Sequence, residues 1–409
     1  MSDPTVVYRG RDFASYLVSR FFSTTALMVL SVAVGWNIYD ITHTPLSLGL
    51  VGLAQFVPMF LLTLPAGDIA DRFDQRKVYA LALGVAGLSG ALLVALAWLH
   101  VRTALPFYLV LMLFGAARGF TGPASQSLLP FLVPPERLPK SIAWGSSAFQ
   151  TAVIAGPALG GFLYALGPFA AYTTCALGFF AAAIGISTLG GRRLVRQQSR
   201  LSGIERVKEG IRFVRHRPVV LGAISLDLFA VLLGGATALL PVYARDILHV
   251  GPIGLGVLRS APALGAALVA VSLGRRPLET KTGAKMFGAV AIFGIATIVF
   301  GISTNFFLSL IALFVLGASD MVSVFIRSAL IQFATPDAMR GRVSAVNMLF
   351  IGASNELGEF ESGLTAAWFG TVPSVVIGGI GTLLVVAIWM KLFPPLRTVD
   401  RLADVQVPA

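Results

Sequence analysis

The sequence predicts an all-α membrane protein with twelve transmembrane helices, arranged as two pseudo-symmetric six-helix bundles. Three observations lead to this fold class. Of the 409 residues, 56% are hydrophobic and only 12% are charged, and the mean hydropathy is +0.82. The apolar residues form runs of about 20, the length that an α-helix needs to cross a bilayer. Motifs in the first half of the chain recur in the second half at a nearly constant offset.

Twelve spans follow one another along the chain. Their predicted boundaries are about 15–40, 47–66, 78–99, 106–132, 141–166, 168–190, 219–244, 254–273, 286–304, 306–333, 343–368 and 374–393. The first run is too long for the apolar part of a cleaved signal peptide. It is therefore predicted to be an uncleaved helix.

The basic residues predict the orientation. Of the 31 Lys and Arg residues, 25 lie in segments on one side of the predicted spans, whereas only Arg102 and Arg245 lie on the other. The positive-inside rule makes the first side cytoplasmic and places both termini there. This topology accounts for the net charge of +12, so nucleic acid is not an expected partner, whereas the lipid bilayer is.

The repeat predicts the domain organisation. Gly67 corresponds to Gly274, and Gly115 corresponds to Gly317. The expected domains are an N-terminal bundle over 1–190, a basic cytoplasmic linker over 191–218 and a C-terminal bundle over 219–409.

The linker carries apolar residues at helical spacing. These residues are Ile204, Val207, Ile211 and Val214. They predict an amphipathic helix on the cytoplasmic membrane surface, and a disordered basic linker is the alternative.

A short charged loop separates the second and third spans. Its residues Gly67, Asp71, Arg72 and Arg76 match the signature loop of the major facilitator superfamily, which the chain therefore resembles. Asp74 stands where that pattern has a glycine, and Asp can adopt the left-handed turn that glycine supplies.

The resemblance implies a cytoplasmic gate. In this family the acidic residue of the loop, here Asp71, is expected to face the amino terminus of the eleventh span. That span is predicted to begin near Arg342. A carboxylate at a helix amino terminus is favoured by the helix dipole.

A second motif lies in the fifth span. Gly156, Pro157, Gly160 and Gly161 resemble the antiporter motif of the superfamily, which implies an exporter. A generic packing face of small residues is the alternative. The run from Met339 to Val343 resembles the branch of drug and siderophore exporters.

Charges inside the spans are candidate functional groups, because buried charges usually face a cavity or a partner. Arg118 and Asp320 occupy equivalent positions of the repeat and are predicted to pair across a central cavity; separate pairs within each half are the alternative. Asp227 and Arg20 are predicted either to pair as a gate or to bond neighbouring helices. Arg327 lies near a span end, where it is expected to extend towards the membrane surface.

The eleventh span carries three glutamates. Glu359 takes the repeat position of Gly156, and Glu356 shares its helical face, whereas Glu361 points about 200° away. Burial disfavours the charged carboxylate, which suits reversible protonation. Glu359, and then Glu356, are the preferred proton carriers, with Asp320 and Arg118 as further candidates for coupling. Structural hydrogen bonding by these glutamates is the alternative.

Together these features predict a secondary active transporter. The preferred function is a proton-coupled antiporter that exports an amphipathic drug-like or siderophore-like molecule by alternating access, as a monomer in a bacterial inner membrane. No phosphate-binding loop for ATP occurs in the sequence, so a gradient is expected to supply the energy. No catalytic residue, metal site or cofactor is expected, and the protein is not expected to be an enzyme. An importer or uniporter and a non-transporting membrane sensor remain alternatives.

Overall fold

The computed structural model describes residues 10–190, 203–276, 278 and 280–401, and no β-strand occurs in this part of the chain. The helices of the first half are α1 (Gly10–Thr42), α2 (Pro45–Arg72), α3 (Gln75–Trp98), α4 (Ala104–Leu132), α5 (Leu138–Ala165) and α6 (Pro168–Ser187). The helices that follow are α7 (Gly203–Arg215), α8 (Pro218–Leu233), α9 (Gly251–Arg275), α10 (Thr282–Ile302), α11 (Phe306–Phe333), α12 (Asp337–Phe369), α13 (Thr371–Leu392) and α14 (Pro394–Arg397).

Eleven helical segments in the described part are long and apolar enough to cross a membrane. The remaining long helix, α12, has 33 residues and therefore spans about 50 Å, more than the ~30 Å hydrocarbon core requires. It carries three glutamates near its centre, which lower its hydropathy. The predicted all-α membrane fold is confirmed, and α12 supplies the twelfth crossing.

The seventh predicted span is not one continuous helix. α8 ends at Leu233, and Gly234 and Gly235 follow it. The chain then continues through a 3₁₀ turn (Ala236–Leu239) and a π-helical turn (Tyr243–Ile247). A Cβ at Gly235 would lie only 2.9 Å from the carbonyl oxygen of Gly358 on α12, so the break allows a close approach of two backbones. The continuous span predicted over 219–244 is wrong in this respect.

The chain forms two compact units. The first contains the described residues within Met1–His43, Ala54–Gly203 and Gly251–Ser260, and the second contains those within Thr44–Leu53, Ile204–Val250 and Ala261–Ala409. Each unit therefore includes a short piece of helix from the other half of the sequence.

The first unit is held together by helix packing and by a buried polar network. α1 packs against α5 and α6, and α3 packs against α4 and α6. The Asn37 amide donates a hydrogen bond to the Tyr172 hydroxyl at 3.0 Å and accepts one from the Tyr164 hydroxyl at 2.9 Å. Because buried polar groups need partners, this network determines how α1, α5 and α6 meet.

The second unit has an apolar core between α8, α10, α11 and α13. Leu226, Met286, Ile326 and Val386 are among the buried residues of this core. α12 packs against α8 and α13.

The linker helix α7 packs on the protein. Val207 and Val214 join a buried cluster with Val343 and Val346 of α12, and a Cβ at Gly210 would lie 2.7 Å from the Arg342 carbonyl oxygen. The predicted helix is therefore present from Gly203, but part of its apolar face meets α12 instead of lipid. Residues 191–202 of the predicted linker lie outside the described residues.

Candidate transport site

A cavity in the first unit brings two of the predicted charges together. It has a volume of about 160 Å³, and α1, α3, α4, α5 and α6 contribute to its walls. Arg20 and Arg118 both line it. The guanidinium of Arg20 lies 5.7 Å from the centre of the Phe149 ring, and its Nη1 is 3.5 Å from the Tyr16 hydroxyl oxygen. The Arg118 Nη1 donates to the Gln55 side-chain oxygen at 3.3 Å.

A buried group of charges lies in the second unit. The guanidinium of Arg327 forms an ion pair with the Asp227 carboxylate, and the two side chains are only 4% and 9% exposed. Asp320 and Asp227 line one small cavity of about 10 Å³, and Asp320 is close enough to interact electrostatically with both partners. The Arg327 Nε has no hydrogen-bond partner among the described residues.

These contacts show the partners of Asp227 and Arg20 within each unit, and the predicted gate between the two residues stays a prediction. Asp227 pairs with Arg327 of a neighbouring helix, and Arg20 contacts Tyr16 and Phe149, so each bonds neighbours in its own unit. The expectation that Arg327 extends to the membrane surface is wrong, because its carboxylate partner keeps it in the interior. The predicted pair of Arg118 and Asp320 stays a prediction.

The glutamates of α12 have different surroundings. Gly52 of α2 lies against Glu359, since a Cβ at Gly52 would be 3.0 Å from Glu359 Oε2. Glu356 is partly buried one turn earlier, and Glu361 accepts a hydrogen bond from the Ser362 hydroxyl at 3.5 Å. The three carboxylates therefore do not share one environment.

The contact between α2 and α12 involves backbone as well as side chains. A Cβ at Gly49 would lie 3.0 Å from the carbonyl oxygen of Phe360, and one at Gly363 would lie 2.7 Å from the Gly49 nitrogen. Glycines on both helices permit this approach. Glu359 thus lies within a tight helix contact of the second unit.

The charged loop has a structural role that the sequence comparison did not suggest. Asp74 has φ −63° and caps α3, where its carboxylate accepts from the Arg76 backbone nitrogen at 3.1 Å. The Arg76 guanidinium binds both carboxylate oxygens of Asp74 and donates to the Leu189 carbonyl oxygen at 3.0 Å. Asp74 therefore does not use the left-handed turn that the glycine of the family pattern supplies, because the residue acts as an extended N-cap.

The charges around Asp74 also perturb its acidity. Burial by itself raises the pKa of this carboxyl, but the hydrogen bonds and charge of Arg76, together with the charge of Lys77, outweigh burial and lower the pKa below its usual range. The loop carboxylate is consequently ionised near neutral pH.

The other members of the predicted gate are less closely grouped. Arg72 is exposed at the end of α2, a Cβ at Gly67 would meet no atom within 4 Å, and the side chain of Asp71 lies outside the described residues. α12 begins at Asp337, so the prediction that this helix starts near Arg342 is wrong. Arg342 lies within the helix and pairs with Glu209 of α7 at 2.8 Å.

The motif in α5 forms two packing surfaces. Gly156 and Gly160 face α1, whereas Gly161 faces the start of α9, where its Cβ would be 3.1 Å from the Gly256 Cα. Both contacts belong to the first unit. This is the close packing expected of small residues, and Gly256 is a member that the sequence interpretation missed.

Comparison with known proteins shows the family. A family model of the major facilitator superfamily, described as transmembrane secretion effector, matches residues 5–407. The chain belongs to this family. This major facilitator is 27% identical over 386 residues to the enterobactin exporter EntS of Citrobacter koseri. The aligned residues make up 94% of this chain and 92% of that relative. The enterobactin exporter EntS of Escherichia coli O1:K1 is 26% identical over the same coverage.

Solved structures share the fold of this major facilitator. A bacterial homologue of the human lysosomal transporter Spinster, in an inward-facing and occupied conformation, aligns with a TM-score of 0.75 at 13% identity over 100% of both chains. The nucleoside transporter NupG aligns with a TM-score of 0.73 at 15% identity over 93% of this chain and 99% of that one. The family match, together with the eleven apolar helical segments of the described part, shows a multi-pass membrane transporter.

Proposed function

We propose that this major facilitator is a proton-coupled antiporter that exports an amphipathic drug-like or siderophore-like molecule by alternating access. Its similarity to enterobactin exporters supports the direction and the substrate class. The distribution of basic residues supports an orientation with both termini in the cytoplasm. The bacterial origin of the similar exporters supports a location in a bacterial inner membrane. We propose that it works as a monomer, with the charged segment from Gly67 to Arg76, where α2 ends and α3 begins, as a cytoplasmic gate.

The observation that carries proton coupling is the charge group in the second unit. Asp227, Asp320 and Arg327 together have a charge of −1 when all three are ionised. A low-dielectric interior disfavours net charge, so binding one proton makes the group neutral and more stable in the membrane. A site that exchanges one proton between two charge states is what proton coupling requires.

Glu359 is the proposed proton carrier that communicates with the outside. Its carboxylate lies in the α2–α12 contact, beyond the middle of α12 towards the end predicted to be periplasmic. Opening that contact would expose Glu359 to water, and closing it would bury the carboxyl and favour its protonated form. Glu356, one turn earlier on the same helical face, is the second candidate for this role.

The antiporter motif supports the same proposal through packing. Gly161 and Gly256 allow α5 and α9 to touch near the ends that the topology places on the periplasmic side. Contacts without intervening side chains can separate and re-form with little rearrangement. We propose that this glycine contact and the α2–α12 contact open together in the transport cycle.

Transport into proteoliposomes tests the proposal. The purified protein should accumulate enterobactin or ethidium against its concentration gradient only when a pH gradient of the correct sign is imposed. Glu359→Gln should abolish uphill accumulation and retain downhill exchange. Glu361→Gln is the matched control, since the same charge is removed from another face of α12.

The other possible outcomes of the proteoliposome assay distinguish the alternative functions. Transport that is indifferent to the pH gradient would establish an importer or uniporter of the same fold. No movement of any substrate would favour a membrane sensor. Uphill transport by Glu359→Gln at the wild-type rate would transfer the carrier role to Asp320, which Asp320→Asn then tests.

A further inference from the structure

We infer that the cavity lined by Arg20 and Arg118 binds the negatively charged group of a small organic anion that has a flat apolar body. The inference rests on the proposed transport function, because it names the chemical class of the exported molecule or of one of its groups. It concerns a cavity within the first unit, formed by α1, α3, α4, α5 and α6.

The charges around the cavity favour an anion. Two guanidinium groups line it, and none of its described lining residues is Asp or Glu. The described contacts of Arg20 are with the Tyr16 hydroxyl and the Phe149 ring, both of which are neutral. An anion placed between two arginines gains charge-assisted hydrogen bonds and offsets the repulsion between the like charges.

The walls favour an aromatic body. Phe114, Phe149, Phe179 and Tyr79 line the cavity, and the rings of Phe114 and Phe179 are 5.6 Å apart. Engineered apolar cavities of about 150 Å³ bind benzene, so a cavity of about 160 Å³ has room for one aromatic ring. A carboxylate attached to such a ring matches both the charged and the apolar parts of the site.

Gly122 of α4 keeps the space open. It lines the cavity, and a Cβ built on it would meet no other atom within 4 Å. A larger side chain at this position would therefore extend into the cavity without first displacing the backbone. This property provides a test that leaves both arginines in place.

Binding is tested by calorimetry on the purified full-length protein with benzoate as the probe. Benzamide, which has the same shape without the charge, should bind at least about tenfold more weakly, because a lost charge-assisted hydrogen bond has an effect of this size. Arg20→Gln and Arg118→Gln should each weaken benzoate binding by a similar factor, and Arg→Lys at either position should restore part of it. Arg102→Gln, at an exposed loop arginine, is the charge-matched control and should have no effect.

Filling the cavity gives a second test that is independent of the arginines. Gly122→Leu should abolish benzoate binding. Gly84→Leu on α3, where a Cβ also meets no atom within 4 Å and which does not line the cavity, should leave binding unchanged. A thermal melt of each variant separates loss of binding from loss of folding.

The inference is overturned if benzamide binds as tightly as benzoate, or if folded Gly122→Leu still binds benzoate. Retention of phosphatidylglycerol instead of benzoate, in an Arg118-dependent manner, would also overturn it by making the cavity a lipid site. Absent benzoate binding together with intact proton-driven efflux would refute only this inference. Intact binding without any proton-driven transport would refute only the proposed function.

Discussion

Replacing Arg327 by methionine is expected to destabilise the protein more than replacing its partner Asp227 by asparagine. The two side chains are 4% and 9% exposed and form an ion pair. Breaking a buried pair typically costs about 3–5 kcal/mol, because the remaining charge stays buried without a partner. The two substitutions differ in what they leave behind, since Asp320 lines the same small cavity as Asp227.

The magnitudes follow from the charges that remain. Arg327→Met leaves two carboxylates beside each other with no cation. The expected loss in the free energy of unfolding is therefore about 5 kcal/mol, the upper end of the range for a broken buried pair. Asp227→Asn leaves the guanidinium beside Asp320, so the loss is closer to one charge-assisted hydrogen bond, about 1.5–3 kcal/mol. Removing both acids with Asp227→Asn and Asp320→Asn should again cost about 3–5 kcal/mol, because Arg327 is then the uncompensated charge.

The assay is the melting temperature of the purified protein, followed by intrinsic fluorescence. Arg340→Met is the matched control, because its ion pair with Asp337 at 2.7 Å is exposed, with side chains 54% and 87% accessible. Exposed ion pairs contribute about 0–1 kcal/mol to the stability of the folded protein, so the melting temperature of the control should be close to that of the wild type. Equal losses for Asp227→Asn and Arg327→Met would refute the role given to Asp320, and no loss for either would refute the stabilising pair itself.

Three further predictions concern packing, acidity and topology. Gly256→Ala should push α5 and α9 apart, because its Cβ would lie 2.5 Å from the Pro157 carbonyl oxygen; spin-label distances between the two helices should lengthen, and unchanged distances would contradict the contact. The pKa of Asp74 is lowered on folding, so its contribution to stability is present above the ordinary Asp pKa of about 3.9 and is lost as the pH falls through the lowered value. Asp74→Asn should therefore lower the melting temperature at pH 7, and below pH 4 the melting temperature of the variant should fall less than that of the wild type. Parallel plots of melting temperature against pH for the two proteins would contradict this. A cysteine at Gly341 should react with an impermeant maleimide only from the cytoplasm and one at Arg102 only from outside, with the buried native cysteine silent; the reverse pattern would refute the orientation.

The fold class follows from the amino-acid sequence alone. Because lipid offers no hydrogen bonds, each crossing must be a helix that satisfies its own backbone, and apolar runs of about 20 residues therefore identify the crossings. The least apolar crossing, α12, was also among the predicted spans, over 343–368, although its three glutamates lower its hydropathy. The break after Leu233 was missed because the surrounding run is uniformly apolar, although Gly234 and Gly235 were a local signal for it.

Local charge patterns were informative only about the helix that carries them. Helical periodicity predicts different faces for Glu361 and Glu359, because both lie on α12. It cannot tell which other helix each face meets. Arg327 was therefore assigned to the membrane surface, although Asp227 was itself recognised as a buried charge.

Which distant residues share a site depends on how the helices pack in three dimensions. Arg20, Arg118 and the aromatic side chains around them come from five helices, and each helix is explained equally well by its own hydropathy without the others. Their convergence depends on how the helices pack, which is determined by contacts such as the Asn37 network and by close approaches at glycine. Hydropathy determines that a helix is buried in the membrane, whereas the shapes of the packed surfaces determine which side chains face a common cavity.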